Sequence, residues 1–460
     1  MCSALVLART TKKLAIDFEI IAWNHNRENW WKWLAYGLFS KRARDRSSLS
    51  TLIITDVGRL TAADVRAFTS VLTSEHPEET LCGTPRGLIE ERDATLARGA
   101  PIRCDFDEDG QPVVNSRLLT LDTSIEIVRT FSDDGTSEWV DVLIAGLGRC
   151  QVQRCDLDFH GETCARGHPK GIKSLTISFQ SDNVSNVAMV PFLESIGSSL
   201  TALTLDGPRR MDTGRMDENA IIQSCPNLLE LTLLRELIEV QLDFREYRAA
   251  KTPIPKLTFS WFNLPKLAAY LSDPENPLTK CVRRLRVSLL RCFVPVADLE
   301  SGNASNFPYY VNAVVKMLEK NERLEYLSVD SPYIRFVSDI KRFHLKPIHR
   351  QRKPLQRKCM LAFLSVLESR APTEQTKKKK KNENSETVLG QIDQHVVVNI
   401  FSFAAPPVLR EVYFESPQRV VFDDGPQGQR RVQGRHGQFL QDQQAQLAPP
   451  ALHGEQEQGN

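Results

Sequence analysis

Residues 225–233 read "CPNLLELTL", with leucine at Leu228, Leu231 and Leu233. That spacing fits neither the helical nor the strand period cleanly. It fits a chain that enters a short strand on the first leucine and turns the next two inward from it. The phrase recurs. "IKSLTI" carries Ile172, Leu175 and Ile177, and "LTALTL" carries Leu200, Leu203 and Leu205. "IPKLTF" follows with Ile254, Leu257 and Phe259, then "VRRLRV" with Val282, Leu285 and Val287. The first positions are spaced by 28, 28, 26 and 28 residues. A steady apolar phrase at such a period marks a stacked repeat. Looser copies begin near Leu14 and at Leu49, Val152, Leu324 and Leu409.

The phrase resembles the leucine-rich repeat family, in the longer strand-plus-helix form of its ribonuclease-inhibitor-like and cysteine-containing types. The likeness is dense over 170–290 and patchy elsewhere. It departs from the family at the slot that usually holds Asn or Cys, which here holds Gln180, Pro208, Glu236, Phe262 and Leu290. The turns must therefore be built differently. The likeness implies an α/β solenoid, with a curved parallel sheet on the concave side and helices on the convex side.

Helical stretches between the phrases agree with that expectation. They are 29–41, 61–72, "EWVDVLIAGLG" before Val152, 217–225, "LPKLAAYL" before Val282, and 308–321. Thr61 and Asp217 are the expected N-caps. The organisation reads as irregular repeats over 1–75, a Gly-, Pro- and charge-rich loop insertion over 76–115, and a repeat core over 116–330. A basic insertion with one helix (359–370) follows over 331–392, then a last repeat over 393–422 and a Gln-rich tail over 423–460 that is expected to be disordered.

The net charge of +2 hides an imbalance. Residues 335–381 carry fifteen Lys and Arg against three Asp and Glu, a net of +12. No apolar run approaches a membrane span, and no signal peptide is read at the start. Ten scattered cysteines point to reduced thiols in an intracellular compartment, cytoplasmic or nuclear. Cys150, Cys155, His160, Cys164 and His168 offer zinc-type ligand atoms, but without knuckle spacing. Cys155 also occupies an inward strand slot, so no metal is expected there. Trp30, Trp31 and Trp33 read as core packing. Signatures of phosphate-binding loops, zinc proteases and serine hydrolases are missing, so no enzyme, no cofactor and no small-molecule substrate is expected.

If positions 1, 4 and 6 of each phrase point inward, positions 3, 5 and 7 face the open side of the sheet. Thr176, Thr204, Thr232 and Thr258 then form a row, and Arg284 and Arg286 succeed it. Asp206, Glu230, Lys256 and Tyr326 lie close by on the expected face. The first expectation is a protein-binding scaffold that grips an unknown protein with these six charged and aromatic residues. "CPNLLELTL" is also typical of the repeats of many F-box proteins, which makes a ubiquitin-ligase substrate receptor the second expectation. That reading needs an adaptor-binding module, and the chain instead runs straight into a strand phrase near Leu14. A third expectation is association with nucleic acid or an anionic surface through 335–381, where "KKKKK" reads first as a solvated loop and second as a nuclear import signal.

Overall fold

A computed structural model describes residues 2–18, 27–58, 60–83, 87, 89–106, 112–113, 117–160, 171–179, 186–207, 217–235, 238–261, 263–289, 307–331, 336–352, 355–368 and 394–415. The five residues at the family's Asn/Cys slot, the lysine run 377–381, Cys164, His168 and the Gln-rich tail lie outside them.

Seventeen strands, numbered along the chain, occur among the described residues. Nine form one sheet, in the order β1 (Lys13–Asp17), β2 (Thr51–Val57), β9 (Ser174–Phe179), β10 (Ala202–Asp206), β11 (Glu230–Leu234), β12 (Ile238–Asp243), β13 (Val282–Ser288), β14 (Tyr326–Asp330) and β17 (Glu411–Glu415). Eight of these begin within the repeated phrase or its looser copies. The ninth, β12, does not. It runs antiparallel to both neighbours, whereas every other pairing in the sheet is parallel.

Six further strands make a separate antiparallel sheet in the order β4 (Ile102–Arg103), β7 (Gly148–Gln153), β6 (Trp139–Ile144), β5 (Ile125–Thr130), β3 (Asp93–Leu96) and β8 (Leu157–Phe159). The expected leucine-rich-repeat-like solenoid with a uniformly parallel sheet is therefore corrected to a mixed α/β fold. One mixed nine-stranded sheet is joined by a second, antiparallel one. The remaining pair is β15 (Pro347–Arg352) with β16 (Pro407–Leu409).

Two physical signals account for the difference. "IEVQLD" alternates strictly, with Ile238, Val240 and Leu242 buried and Glu239, Gln241 and Asp243 half-buried. "TPIPKLTF" has prolines at Pro253 and Pro255, which cannot donate to a ladder. Residues 254–259 form no strand. Leu257 and Phe259 are buried all the same, and the Asn219 side chain takes the place of a neighbouring strand. Its amide donates to the Leu257 carbonyl at 2.9 Å and accepts from the Leu257 N–H at 2.9 Å.

In the same way, 139–144 was expected as helix and is strand β6. Its β-branched residues Val140, Val142 and Ile144 alternate into a second core. Gly146 and Gly148, at φ of 89° and 91°, turn the chain into β7. Residues 76–115, expected as a loop insertion, contribute a helix and strands β3 and β4.

The insertion of β12 also splits the expected column of Leu175, Leu203, Leu231, Leu257 and Leu285. Leu52, Leu175, Leu203, Leu231 and Leu242 make one buried row. Ile54, Ile177, Leu205, Leu233, Val240, Leu285, Leu327 and Val412 make the next. Leu257 belongs to neither.

Helices cover these rows. They are α1 (Arg27–Leu34), α2 (Ala62–Thr73), α3 (Pro77–Cys82), α4 (Asn186–Ile196), α5 (Glu218–Ser224), α6 (Leu264–Leu271) and α7 (Phe307–Lys320). Thr61 and Asp64 close a capping box on α2, and Asp217 caps α5. Phe68, Phe192, Ile221, Leu267 and Val314 from successive helices fill one core against the leucine rows. Trp31 is 2% exposed and packs against Phe18, Phe68 and Phe192, while Trp30 and Trp33 are partly buried. Among the described residues no helix is long and apolar enough to cross a membrane.

Candidate functional site

The face of the nine-stranded sheet opposite the helices carries the charged and aromatic side chains. Thr176, Thr204 and Thr232 are aligned across β9, β10 and β11 as the phrase requires. The next residue in that row is Gln241 of β12, and then Arg284, Tyr326 and Glu411. The antiparallel strand and its irregularity shift the register by two. Arg284 thus continues the threonine row, and Arg286 lies in the row of Asp206, Leu234 and Glu239.

The six expected binding residues fall into two groups. Arg284, Arg286 and Tyr326 come together on β13 and β14. The Arg284 guanidinium lies 4.2 Å from the centroid of the Tyr326 ring, and Arg284 has no carboxylate partner among the described residues. Arg286 is half-buried, pairs with Glu239 at 3.8 Å and hydrogen-bonds Tyr326. The other three lie apart from this cluster. Asp206 accepts from the Ser178 hydroxyl at 3.0 Å. Glu230 is held by Arg245, which also reaches Asp243 at 3.2 Å. Lys256 is exposed but off the sheet, beside a cleft lined by Asp217, Asn219 and Gln223.

Tyr413, at the fifth position of the last phrase, is the residue that sequence reasoning passed over. It is 42% exposed, and its ring stands 5.6 Å from Tyr326 and 5.6 Å from His344. Beneath these groups Ser328, on the same face between Arg286 and Tyr413, is wholly buried. The aromatic side chains therefore lie down over the sheet. Glu411 and Glu415 are exposed on the same strand.

The outer edge of β17 is not left open. His344 Nδ1 accepts from the Val412 N–H at 3.0 Å, and Leu345 and Lys346 bond to Arg410. Arg410 is 6% exposed and donates to the carbonyls of Leu318, Leu324 and Asn321, at the C-terminal end of α7 and just beyond it. Burial lowers its pKa. This guanidinium ties the start of β17 to the end of α7 and the turn before β14, beside the parallel ladder that joins β17 to β14.

The thiols next to the strands behave as apolar groups. Burial pushes Cys225 up to about 12 and Cys281 to about 11. Of the scattered cysteines and histidines near 150–168, Cys150 is buried in the second core, Cys155 is exposed, and His160 bonds Thr95 at 2.8 Å. Of the basic segment 335–381, the described part includes Arg342, which pairs with Glu319 at 2.6 Å. No family model, no curated protein and no solved structure matches this chain.

Proposed function

We propose that the chain is a non-enzymatic scaffold that holds a protein partner on the open sheet face formed by β13, β14 and β17. The observation that carries this reading is the cluster of Arg284, Tyr326 and Tyr413. Arginine and tyrosine dominate binding hot spots because they combine contact area with directed hydrogen bonds. Here stacking already orders them, which lowers the entropy lost on association. Arg284 offers its donors to a carboxylate or a main-chain carbonyl, and Tyr413 offers an apolar ring beside it. The fitting partner is a protein of acidic or mixed charge that sets an apolar side chain against Tyr413.

The test is affinity capture with the tagged full chain and with Arg284→Glu/Tyr413→Ala, followed by calorimetry on the purified partner. Arg286 is left intact because it is tied to Glu239 and Tyr326 within the sheet. Two hot-spot losses of about 2 kcal/mol each weaken binding by roughly a thousandfold. The control is Thr176→Glu, on β9, which leaves affinity within a few-fold. Unchanged affinity of the double variant overturns the proposal.

A further inference from the structure

Where α3 meets the six-stranded sheet, an ionic layer is enclosed that the binding face does not use. Glu78 and Glu79 come from α3, His76 from the residue that precedes it, Glu91 and Asp93 from the approach to and start of β3, and Arg129 from β5. Arg42 and Arg46 both clamp Asp93. Arg129 reaches Glu91 Oε2 at 3.1 Å, Glu78 Oε1 at 3.6 Å and Asp93 Oδ1 at 3.6 Å. Four carboxylates thus face three guanidiniums and one imidazole.

The remaining polar atoms are the unusual part. Glu91 Oε1, Glu78 Oε2 and both ring nitrogens of His76 are closed off from solvent, and none has a hydrogen-bond partner among the described residues, although His76 Nδ1 and Glu91 Oε1 face each other. The Glu91 side chain is only 6% exposed and that of Glu78 only 2%. Such groups are rare in folded proteins, and an ion is one of the few things that satisfies them. His76 Nδ1 faces Glu91 Oε1, and the other ring nitrogen has no partner among the described residues.

The geometry points to a divalent cation. One ligand atom each of His76, Glu79 and Glu91 lies within 4.8 Å of the other two. His76 Nδ1 stands 3.4 Å from Glu91 Oε1. Two ligands at about 2.1 Å from a tetrahedral centre are separated by about that distance. The supporting contacts also fit. Glu91 gives its other oxygen to Arg129, and Glu79 accepts from the hydroxyl and the N–H of Ser132, which fixes both carboxylates.

We propose that His76, Glu79 and Glu91 bind a zinc-class divalent cation that joins α3 to the six-stranded sheet. An imidazole with two carboxylates favours zinc and its transition-metal neighbours over magnesium or calcium, which prefer all-oxygen sites. The site is distinct from the scattered Cys150, Cys155 and His160, none of which takes part.

The experiment uses the full chain, stripped with chelator and titrated with Zn²⁺ against a chromophoric chelator. One zinc per chain is expected, with a rise in melting temperature. The cobalt(II) adduct is expected to lack the intense near-ultraviolet band of a thiolate ligand. Glu91→Gln keeps the side-chain shape and should weaken zinc binding by more than the roughly 10–100-fold lost with a supporting hydrogen bond. His76→Gln should do the same, and Cys155→Ser/His160→Ala should leave affinity unchanged. The proposal is overturned if the wild-type chain takes up no zinc, if the cobalt adduct shows the thiolate band, or if Glu91→Gln and His76→Gln both retain wild-type affinity.

Discussion

Replacing Gln241 by proline, and separately Thr258 by proline, separates the observed sheet from the one implied by the repeat spacing. Gln241 lies in the middle of β12 and is paired on both sides, with Thr232 and with Arg284. Proline there removes the amide donor and leaves an acceptor in a neighbouring strand unsatisfied, a loss of about 1–3 kcal/mol. It also forces φ to about −65°, away from the roughly −140° of antiparallel strand, and its ring crowds the adjoining strand. Together these amount to about 3–5 kcal/mol, a large part of the 5–15 kcal/mol that keeps a typical domain folded. Thr258 is exposed, lies outside every strand, and its amide makes no backbone hydrogen bond among the described residues. Thr258→Pro should therefore cost within about 1 kcal/mol. Urea unfolding followed by circular dichroism and tryptophan fluorescence measures both. Equal loss in the two variants, or a stable Gln241→Pro beside an unfolded Thr258→Pro, would show that 254–259 is the sheet strand and refute the assignment of β12.

Three further outcomes follow from packing. Leu231 has no exposed surface and sits between Leu203 and Leu242, so Leu231→Ala should destabilise by about 2–5 kcal/mol in chemical denaturation. Asn219→Ala leaves both backbone groups of Leu257 without their partner and should lower stability by about 2 kcal/mol, while Asn219→Asp, which keeps only the acceptor, recovers part of it. Arg410→Met removes the donor shared by three carbonyls and should cost about 2–4 kcal/mol. Arg410→Lys should not restore it, because an ammonium lacks the planar fork that spans them.

Eight strands of the main sheet were legible because each carries the same apolar phrase. The phrase works by placing buried side chains two residues apart, so it finds parallel strands that begin alike. It is blind to β12, whose Ile238, Val240 and Leu242 alternate without the leading leucine. A search for strict alternation finds β12, and Pro253 and Pro255 disqualify its rival. Arg284 and Tyr326 are neighbours because β13 and β14 pair in the register of the phrase, and Lys256 is off the sheet because 254–259 forms no strand. The six-stranded sheet was missed because a short apolar run such as "WVDVLIAGLG" reads as helix or strand until its β-branched residues and two glycines are weighed. The ionic layer had only one local sign, the three-residue step from His76 to Glu79. Its other members come from segments that only the fold brings together.

Hydroxyl-radical footprinting of the full chain, alone and with its captured partner, tests the proposed binding face most directly. Tyr413 is 42% exposed on the open face, and Tyr309 is 63% exposed on α7. Each reacts according to its own accessibility, within one sample. Binding on the open face should suppress oxidation of Tyr413 and leave Tyr309 at its free rate. Unchanged oxidation of Tyr413, with protection of Tyr309 or of the basic segment 335–381, would contradict it.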